Sequence, residues 1–106
     1  MRRSYHTDPS NLTWSDMNDQ LDILAVVEDH LPLGHLKKKG ISHVGLCPFH
    51  NERSPSFNVT PSKGIYKCFG CGKGGNAVNF IWETLTAKGY SGKEIAEYIK
   101  DKYKLV

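Results

Sequence analysis

The feature that most constrains this chain is a pair of short motifs, each carrying two potential metal ligands separated by two residues. Cys47 and His50 form the first pair and Cys68 and Cys71 the second, with residues 51–67 between them. A tight turn brings both side chains of a pair to one point, and two such turns complete the tetrahedron of Cys and His that zinc prefers. The pattern predicts one structural zinc ion held by these four residues. Spacing alone does not name the metal, so iron and cobalt remain alternatives.

The residues around the two pairs favour metal-binding turns over other cysteine chemistry. Gly70 and Gly72 flank Cys71 and let the chain bend back so that backbone N–H groups reach a thiolate, while Pro48 stiffens the first turn. A disulfide or a redox dithiol is the competing interpretation of Cys68 and Cys71. Three cysteines cannot pair off, however, and a redox motif normally opens a helix after a strand in a βαβ unit. A catalytic zinc is disfavoured because four protein ligands leave no position for water.

Two further features near the pairs have competing interpretations. The glycine-rich run 70–75 precedes a predicted helix and raises the alternative of a phosphate-binding loop. It lacks the Gly-Lys-Ser/Thr ending of a P-loop, and the metal turn and the helix entry account for its glycines. His43 is the one other histidine that could substitute as a ligand. We expect packing or solvent-facing roles for it, as for His6, His30 and His35.

Length and composition describe one small domain that needs reinforcement. At 106 residues, the hydrophobic core alone gives the domain little stability, so we expect a further stabilising link such as a bound metal. The net charge of +3 is mildly basic and is weak evidence for nucleic acid as a partner. No apolar run approaches membrane-spanning length, and the N-terminus lacks the apolar stretch of a signal peptide. We therefore expect a cytoplasmic location with no membrane partner, where thiols stay reduced and available for metal.

The patterning predicts an α+β fold in which a zinc ribbon on a small antiparallel β-sheet is flanked by helices. We expect a flexible N-terminal arm over residues 1–18 and the zinc-binding domain over residues 19–106. A helix is predicted to begin after Ser15 or Asp16 and to run to about His30, with Leu21, Leu24, Val27 and Leu31 on one face and Pro32 ending it.

Short strands are predicted next, followed by two helices. The strands cover residues 35–39, 42–46, 56–60 and 65–69, and turn residues 61–64 make the last two an antiparallel hairpin. Asn76 is expected to cap a helix with Val78, Ile81, Trp82 and Leu85 on one side, ending at Gly89. Ser91 and Glu94 form a capping box that opens a last helix with Ile95, Tyr98 and Ile99 inward.

Basic and aromatic residues are concentrated around the predicted ribbon. Cations that follow phosphates and rings on which bases stack are the two requirements of single-strand binding. The alternative is that the lysines solvate a sheet edge and the aromatics form its core, as we expect for Phe57. Tyr66 and Phe69 cannot both point inward from one strand, because an odd separation places them on opposite faces. The cations are Lys37, Lys38, Lys39, Arg53, Lys63, Lys67 and Lys73, and the rings are Phe57, Tyr66 and Phe69.

The runs Val44–Phe57, Pro61–Lys63 and Tyr66–Ala77 together resemble the N-terminal zinc-binding domain of bacterial DnaG-type DNA primases. The similarity extends from about residue 20 to the end of the chain, whereas residues 1–18 match nothing comparable. In that family the domain is a zinc ribbon that recognises single-stranded template DNA and helps to choose where an RNA primer starts. The resemblance makes Cys47, His50, Cys68 and Cys71 the zinc ligands.

The same resemblance implies a set of DNA contacts and partners. Arg53, Lys63, Tyr66 and Lys67 are expected on the template-binding face, where the cations engage phosphates and Tyr66 stacks on a base. The family's nucleotidyl transfer belongs to a separate Toprim-containing polymerase domain, and this chain has no cluster of acids to hold catalytic magnesium. We therefore expect no catalytic residues here and no enzyme activity by itself, in either an excised domain or a small stand-alone relative.

The expected partners are single-stranded DNA and either a primase polymerase domain or a replicative helicase, with the chain itself a monomer. The competing function is a stand-alone zinc-ribbon interaction module that docks onto a replication or mobile-element protein. It would present a large exposed apolar patch, with Trp14 or Trp82 as candidates, in place of a basic aromatic face.

Overall fold

A computed structural model of the chain describes residues 12–32, 34–51 and 53–105. Within these residues the secondary structure comprises four α-helices, five β-strands and one 3-10 turn. In chain order they are α1 Trp14–Asp19, α2 Ile23–Asp29, β1 Lys37–Lys39, β2 Ser42–Gly45, β3 Phe57–Thr60, the 3-10 turn Pro61–Lys63, β4 Ile65–Cys68, β5 Gly74–Gly75, α3 Ala77–Thr86 and α4 Gly92–Lys102.

The five strands form one antiparallel sheet in the order β1-β2-β3-β4-β5. Short turns join β1 to β2 and β3 to β4, whereas the longer segment 46–56 joins β2 to β3. Gly64 ends the 3-10 turn between β3 and β4 with a left-handed φ of 65°. Phe57 pairs with Cys68 and Val59 with Tyr66, which confirms the predicted hairpin. The α+β fold with a small antiparallel sheet and flanking helices is therefore confirmed.

The sheet has one covered and one open face because successive side chains alternate. The inward residues of β3 and β4 are buried against α2 and α3, and Phe57 lies in the core as predicted. Four aromatic rings meet there, with centroid separations of 5.4 to 6.3 Å. They belong to Phe49, Phe57, Tyr66 and Phe80.

The N-terminal region differs from the prediction of one long helix. Thr13 caps α1 in a reciprocal capping box with Asp16, and Asp22 caps α2, so the chain forms two short helices with a break between them. The predicted arm does not extend through residue 18, because α1 begins at residue 14 and Met17 is buried. The first part of that arm, residues 1–11, lies outside the described residues.

The two C-terminal helices begin as predicted, although one side chain is placed differently. Asn76 caps α3 and Ser91 caps α4, each in a reciprocal box with the residue three positions later. Trp82 was expected on the packed side of α3, but it is 39% exposed, whereas Phe80 is fully buried. The ring of Trp82 instead makes an edge contact with Trp14, at a centroid distance of 5.5 Å.

The fifth strand was not predicted, because its two glycines carry no hydrophobic pattern. A Cβ built on Gly74 would lie 2.9 Å from the carbonyl oxygen of Tyr66, so glycine permits the close pairing of β5 with β4. Among the described residues, no helix has the length and hydrophobicity needed to cross a membrane.

Candidate metal centre and open sheet face

The two ligand pairs meet at one end of the sheet. Cys47 lies just after β2, Cys68 is the last residue of β4, and Cys71 lies in the turn that follows. The potential ligand atoms of these cysteines and His50 all lie within 4.8 Å of one another. The sequence prediction that the four residues converge is therefore matched by the geometry.

The separations fit a tetrahedral metal. Two sulfurs bound to zinc at about 2.3 Å on adjacent corners of a tetrahedron lie about 3.8 Å apart. The Sγ atoms of Cys47 and Cys71 are 3.8 Å apart. Three thiols and an imidazole form the donor set of a structural zinc site, in which four protein ligands leave no open position.

Backbone hydrogen bonds shape both metal-binding turns. The N–H of Phe49 donates to Cys47 Sγ at 3.3 Å in the first turn. In the second, Gly72 N–H donates to the carbonyl of Cys68 at 2.8 Å, and Gly72 has the left-handed φ of 84° that glycine adopts without strain. The glycine in this turn therefore serves the metal site, as the sequence suggested.

The surroundings of the cysteines act in opposite directions on their pKa values. Burial raises the pKa of the Cys47 thiol to about 12. Burial would also raise that of Cys68, but hydrogen bonds from the Ser56 hydroxyl and the backbone N–H of Cys71 outweigh it and lower the pKa to about 6. Zinc binds the thiolate form of both residues, so the cost of losing a proton opposes metal binding more at Cys47 than at Cys68.

The remaining described histidines lie outside this cluster. His30 Nδ1 is 2.9 Å from the carbonyl oxygen of Val26, and His35 Nε2 is 2.7 Å from that of Leu46. His43 lies in β2 and pairs across the sheet with Val59. Over residues 12–32, 34–51 and 53–105, the four-residue cluster is the one group of three or more metal-ligating side chains. His6 lies outside the described residues.

A groove of about 740 Å³ runs over the open face of the sheet. Apolar, polar and basic side chains all line it. The apolar ones are Ile41, Ile65 and Phe69, which are 70%, 42% and 73% exposed. The polar ones are Ser42, Asn58 and Thr60, and the basic ones are Lys63 and Lys67.

Tyr66 borders this groove, but its side chain is buried in the core. It is only 2% exposed and packs against Phe57 and Phe80, and burial, followed by the charge of Glu83, raises the pKa of its hydroxyl to about 12. The prediction that Tyr66 stacks on a base is therefore wrong, because its ring has no free face. Phe69, three residues further along, is the exposed ring, as the odd separation of the two residues requires.

The predicted cations are distributed unevenly around the groove. Lys67 lines it and donates from Nζ to the carbonyl of Gly72 at 3.1 Å. Strand register places Lys37 in the same cross-strand row as Lys67, since Lys37 pairs with Val44, Val44 with Asn58 and Asn58 with Lys67. Lys63 also lines the groove.

Two other predicted cations, Arg53 and Lys73, do not line the groove. Arg53 is exposed in the loop after the first metal-binding turn and does not line the groove. Lys73 forms a 3.0 Å ion pair with Glu83 of α3 and is therefore engaged with the helical side of the domain. Lys63 and Lys67 are thus the predicted cations that line the groove, together with Phe69, which sequence reasoning did not select.

A short antiparallel sheet whose strand ends carry two metal-binding turns defines the class of this protein as a zinc ribbon. The family model of the CHC2 zinc finger, the DnaG-type zinc ribbon, matches residues 10–105. The chain belongs to this family, which confirms the resemblance found in the sequence and the assignment of one structural zinc.

Relatives and a solved structure agree with this assignment. The chain is 51% identical over 71 residues to a DNA primase of Synechocystis, covering 67% of this chain and 11% of the relative. It is 36% identical over 99 residues to a DNA primase of Chlamydia trachomatis, covering 93% and 15%. The chain thus spans only a small part of these curated relatives.

The solved structure is that of the Aquifex aeolicus primase, comprising its zinc binding and RNA polymerase domains. It matches with a TM-score of 0.71 and 36% identity, and the alignment covers 86% of this chain and 21% of that one.

Proposed function

We propose that this chain is the zinc-dependent DNA-binding domain of a DNA primase and recognises single-stranded template for RNA primer synthesis. The observation that carries the proposal is the groove on the open sheet face, which the exposed ring of Phe69 lines together with Lys63 and Lys67. A π-face and nearby cations are what a single strand requires, because bases stack and phosphates are attracted.

The zinc ligands in this proposal are Cys47, His50, Cys68 and Cys71. Zinc, when bound, supplies a rigid tetrahedral link between the end of β2 and the turn after β4. Phe69 lies inside the second metal-binding turn, between two ligands. Holding that turn therefore holds the ring in place at the end of the groove.

Apolar and basic residues of the groove have different roles in the proposed binding. Phe69 offers a stacking surface, with Ile41 and Ile65 as further apolar contacts along the face. Lys63 and Lys67 attract phosphates, and we propose that Arg53 does so from the neighbouring loop. Base stacking is worth about 1–3 kcal/mol per base and tolerates any sequence. Phe69 therefore replaces Tyr66 as the proposed stacking residue.

The groove also carries polar groups that could contact base edges. Ser42 Oγ and Thr60 Oγ1 lie 3.1 Å apart, and Asn58 donates from Nδ2 to the carbonyl of Ser56. That bond leaves the Asn58 Oδ1 acceptor for a ligand. A preference among template bases would then arise from these groups and not from the stacking ring.

The proposal assigns no catalysis to this chain, because four protein ligands leave zinc no position for a reacting water. Nucleotidyl transfer would belong to a polymerase domain, in the same polypeptide or in a separate protein, acting in the cytoplasm. A replicative helicase is a further proposed partner, and we propose that the zinc domain acts as a monomer.

The second candidate function is docking to a protein, which the two exposed tryptophans favour. Trp14 and Trp82 are 40% and 39% exposed and contact each other away from the groove. Large apolar side chains left partly exposed in contact with each other are a feature of protein interfaces. This function and strand binding would use different faces of the same domain.

Titration of the zinc-loaded protein with fluorescent single-stranded and duplex DNA at two salt concentrations tests the proposal. Binding that favours single strands and weakens at higher salt is expected, because lysines release counterions from phosphates. A Trp82→Ala variant should bind DNA like the wild type. No binding to single strands at low salt would reject template recognition and favour the docking function.

A further inference from the structure

Ser56 links the metal centre to the groove through three contacts. The residue immediately precedes β3, and its Oγ lies 3.4 Å from Cys68 Sγ. Its carbonyl oxygen accepts hydrogen bonds from the backbone N–H of Phe69 at 2.9 Å and from Asn58 Nδ2 at 3.1 Å. One residue thus contacts a metal ligand and two residues of the groove.

Chemistry fixes the direction of the contact with sulfur. A metal-bound thiolate carries no proton, so the Ser56 hydroxyl is the donor and Cys68 the acceptor once zinc is present. A hydrogen bond to a ligating atom orients that ligand and tunes its electron donation to the metal. The carbonyl of the same residue meanwhile extends the strand pairing to Phe69, just beyond the end of β4.

We infer that Ser56 is a positioning residue: its hydroxyl orients Cys68 on the zinc, and its carbonyl orients Phe69 and Asn58 on the groove. Occupancy of the metal site and the shape of the groove are therefore coupled through this residue. The metal half of the inference rests on the proposed ligand set, and the groove half rests on the proposed strand binding.

Three variants isolate the hydroxyl. Ser56→Ala removes it, Ser56→Thr keeps it, and Ser54→Ala removes the hydroxyl of an exposed serine in the preceding loop as a matched control. Zinc affinity is measured by competition with a chromophoric chelator. Loss of an outer hydrogen bond typically weakens metal binding about 10- to 100-fold. The zinc affinity of Ser56→Ala should therefore be about 10- to 100-fold lower than that of the wild type, while the zinc affinities of Ser56→Thr and Ser54→Ala should stay near it.

Cobalt substitution gives a signature that a merely structural role would not produce. Removing a hydrogen bond from a thiolate raises the energy of its sulfur electrons, so the sulfur-to-cobalt charge-transfer band of Ser56→Ala should move to lower energy. Unchanged affinity and an unchanged band in Ser56→Ala would overturn the inference. Equal losses in Ser56→Ala and Ser56→Thr would overturn it too, because side-chain size would then be the cause. A Ser56→Ala protein that does not fold, with wild-type behaviour in Ser56→Thr, would support it.

The coupling is tested by measuring single-strand binding at a series of buffered free zinc concentrations. Ser56→Ala keeps its main-chain contacts, so its affinity for DNA at saturating zinc should be close to that of the wild type. The free zinc needed for half of that binding should rise about 10- to 100-fold, in step with the metal affinity. A lower maximum of DNA binding at saturating zinc, with no change in the free zinc needed for half of that binding, would contradict the coupling. Failure of the wild-type protein to bind DNA would reject the proposed function instead, while the cobalt result on Ser56 still stands.

Discussion

Two aromatic residues of one hairpin arm, Tyr66 and Phe69, should respond to truncation in opposite ways. Phe69 is 73% exposed, so Phe69→Ala removes little buried surface and should leave the free energy of unfolding nearly unchanged. If a base stacks on this ring, the loss is about 1–3 kcal/mol of binding, or about 5- to 150-fold in Kd. Zinc content should not change.

Tyr66→Ala should act on stability. Its ring lies among Phe49, Phe57 and Phe80, with centroid distances of 6.2, 5.7 and 5.4 Å, and it is 2% exposed. Truncating a buried aromatic side chain to alanine costs about 3–5 kcal/mol. The protein that remains folded and zinc-loaded keeps its groove ring, so its affinity for single strands should be retained.

The assay pairs fluorescence anisotropy with a labelled single strand and urea unfolding of the same zinc-loaded samples. Tyr90→Ala serves as the control, since Tyr90 is 47% exposed and does not line the groove. Wild-type DNA affinity in Phe69→Ala would refute the stacking role. Lost affinity with unchanged stability in Tyr66→Ala would refute the placement of the two rings on opposite faces.

Three further predictions concern the metal and the charges. Cys68→Ser should fail to fold into a ribbon in the presence of zinc, because structural zinc is worth about 10–16 kcal/mol; a folded, zinc-free variant in circular dichroism would contradict this. Zinc affinity should rise with pH between about 6 and 8, since the raised pKa of Cys47 keeps a proton that zinc must displace; a flat profile in chelator competition would be inconsistent with it. Lys63→Gln should reduce the salt-dependence slope of single-strand binding by about 0.7, whereas Lys88→Gln on the helical side should not; equal slopes would remove Lys63 from the groove contacts.

The metal cluster could be predicted because its geometry is determined locally. Two residues between ligands allow only a tight turn, and turn residues 61–64 bring the strand that ends in Cys68 back beside its neighbour. The capping residues Asn76 and Ser91 were equally visible, since each hydrogen bond spans three positions. Each ligand pair, the hairpin and each cap can therefore be recognised without knowledge of distant contacts, although the meeting of the two ligand pairs also requires β2 to pair with β3.

Alternation alone did not predict the placement of the rings, because that placement depends on which face of the sheet the helices cover. Alternation required Tyr66 and Phe69 to lie on opposite faces but did not say which face is buried. The answer comes from Phe80, which contacts Tyr66 from a different element. Pairing Tyr66 with Val59 across the hairpin, and assigning both to the core, is the signal that could have revealed it.

A capping residue in the sequence indicates the break between α1 and α2, but hydrophobic periodicity alone predicts one continuous helix. Leu21, Leu24, Val27 and Leu31 continue a helical spacing, yet Asp22 caps a new helix in the middle of this region. The exposure of Trp82 depends instead on packing with Trp14, which is distant in sequence. Ser56 escaped notice for a similar reason, since its contact with Cys68 crosses the hairpin.

The measurement that tests the central claim most directly is single-strand binding by one protein sample in its metal-free form and after restoring zinc. The account predicts that metal-free protein binds weakly, that one equivalent of zinc restores binding, and that binding follows zinc occupancy, because zinc holds the turn that carries Phe69. Equal affinity of the metal-free and zinc-loaded forms would contradict it. So would a zinc-loaded protein with an ordered ribbon that binds no single strand at low salt.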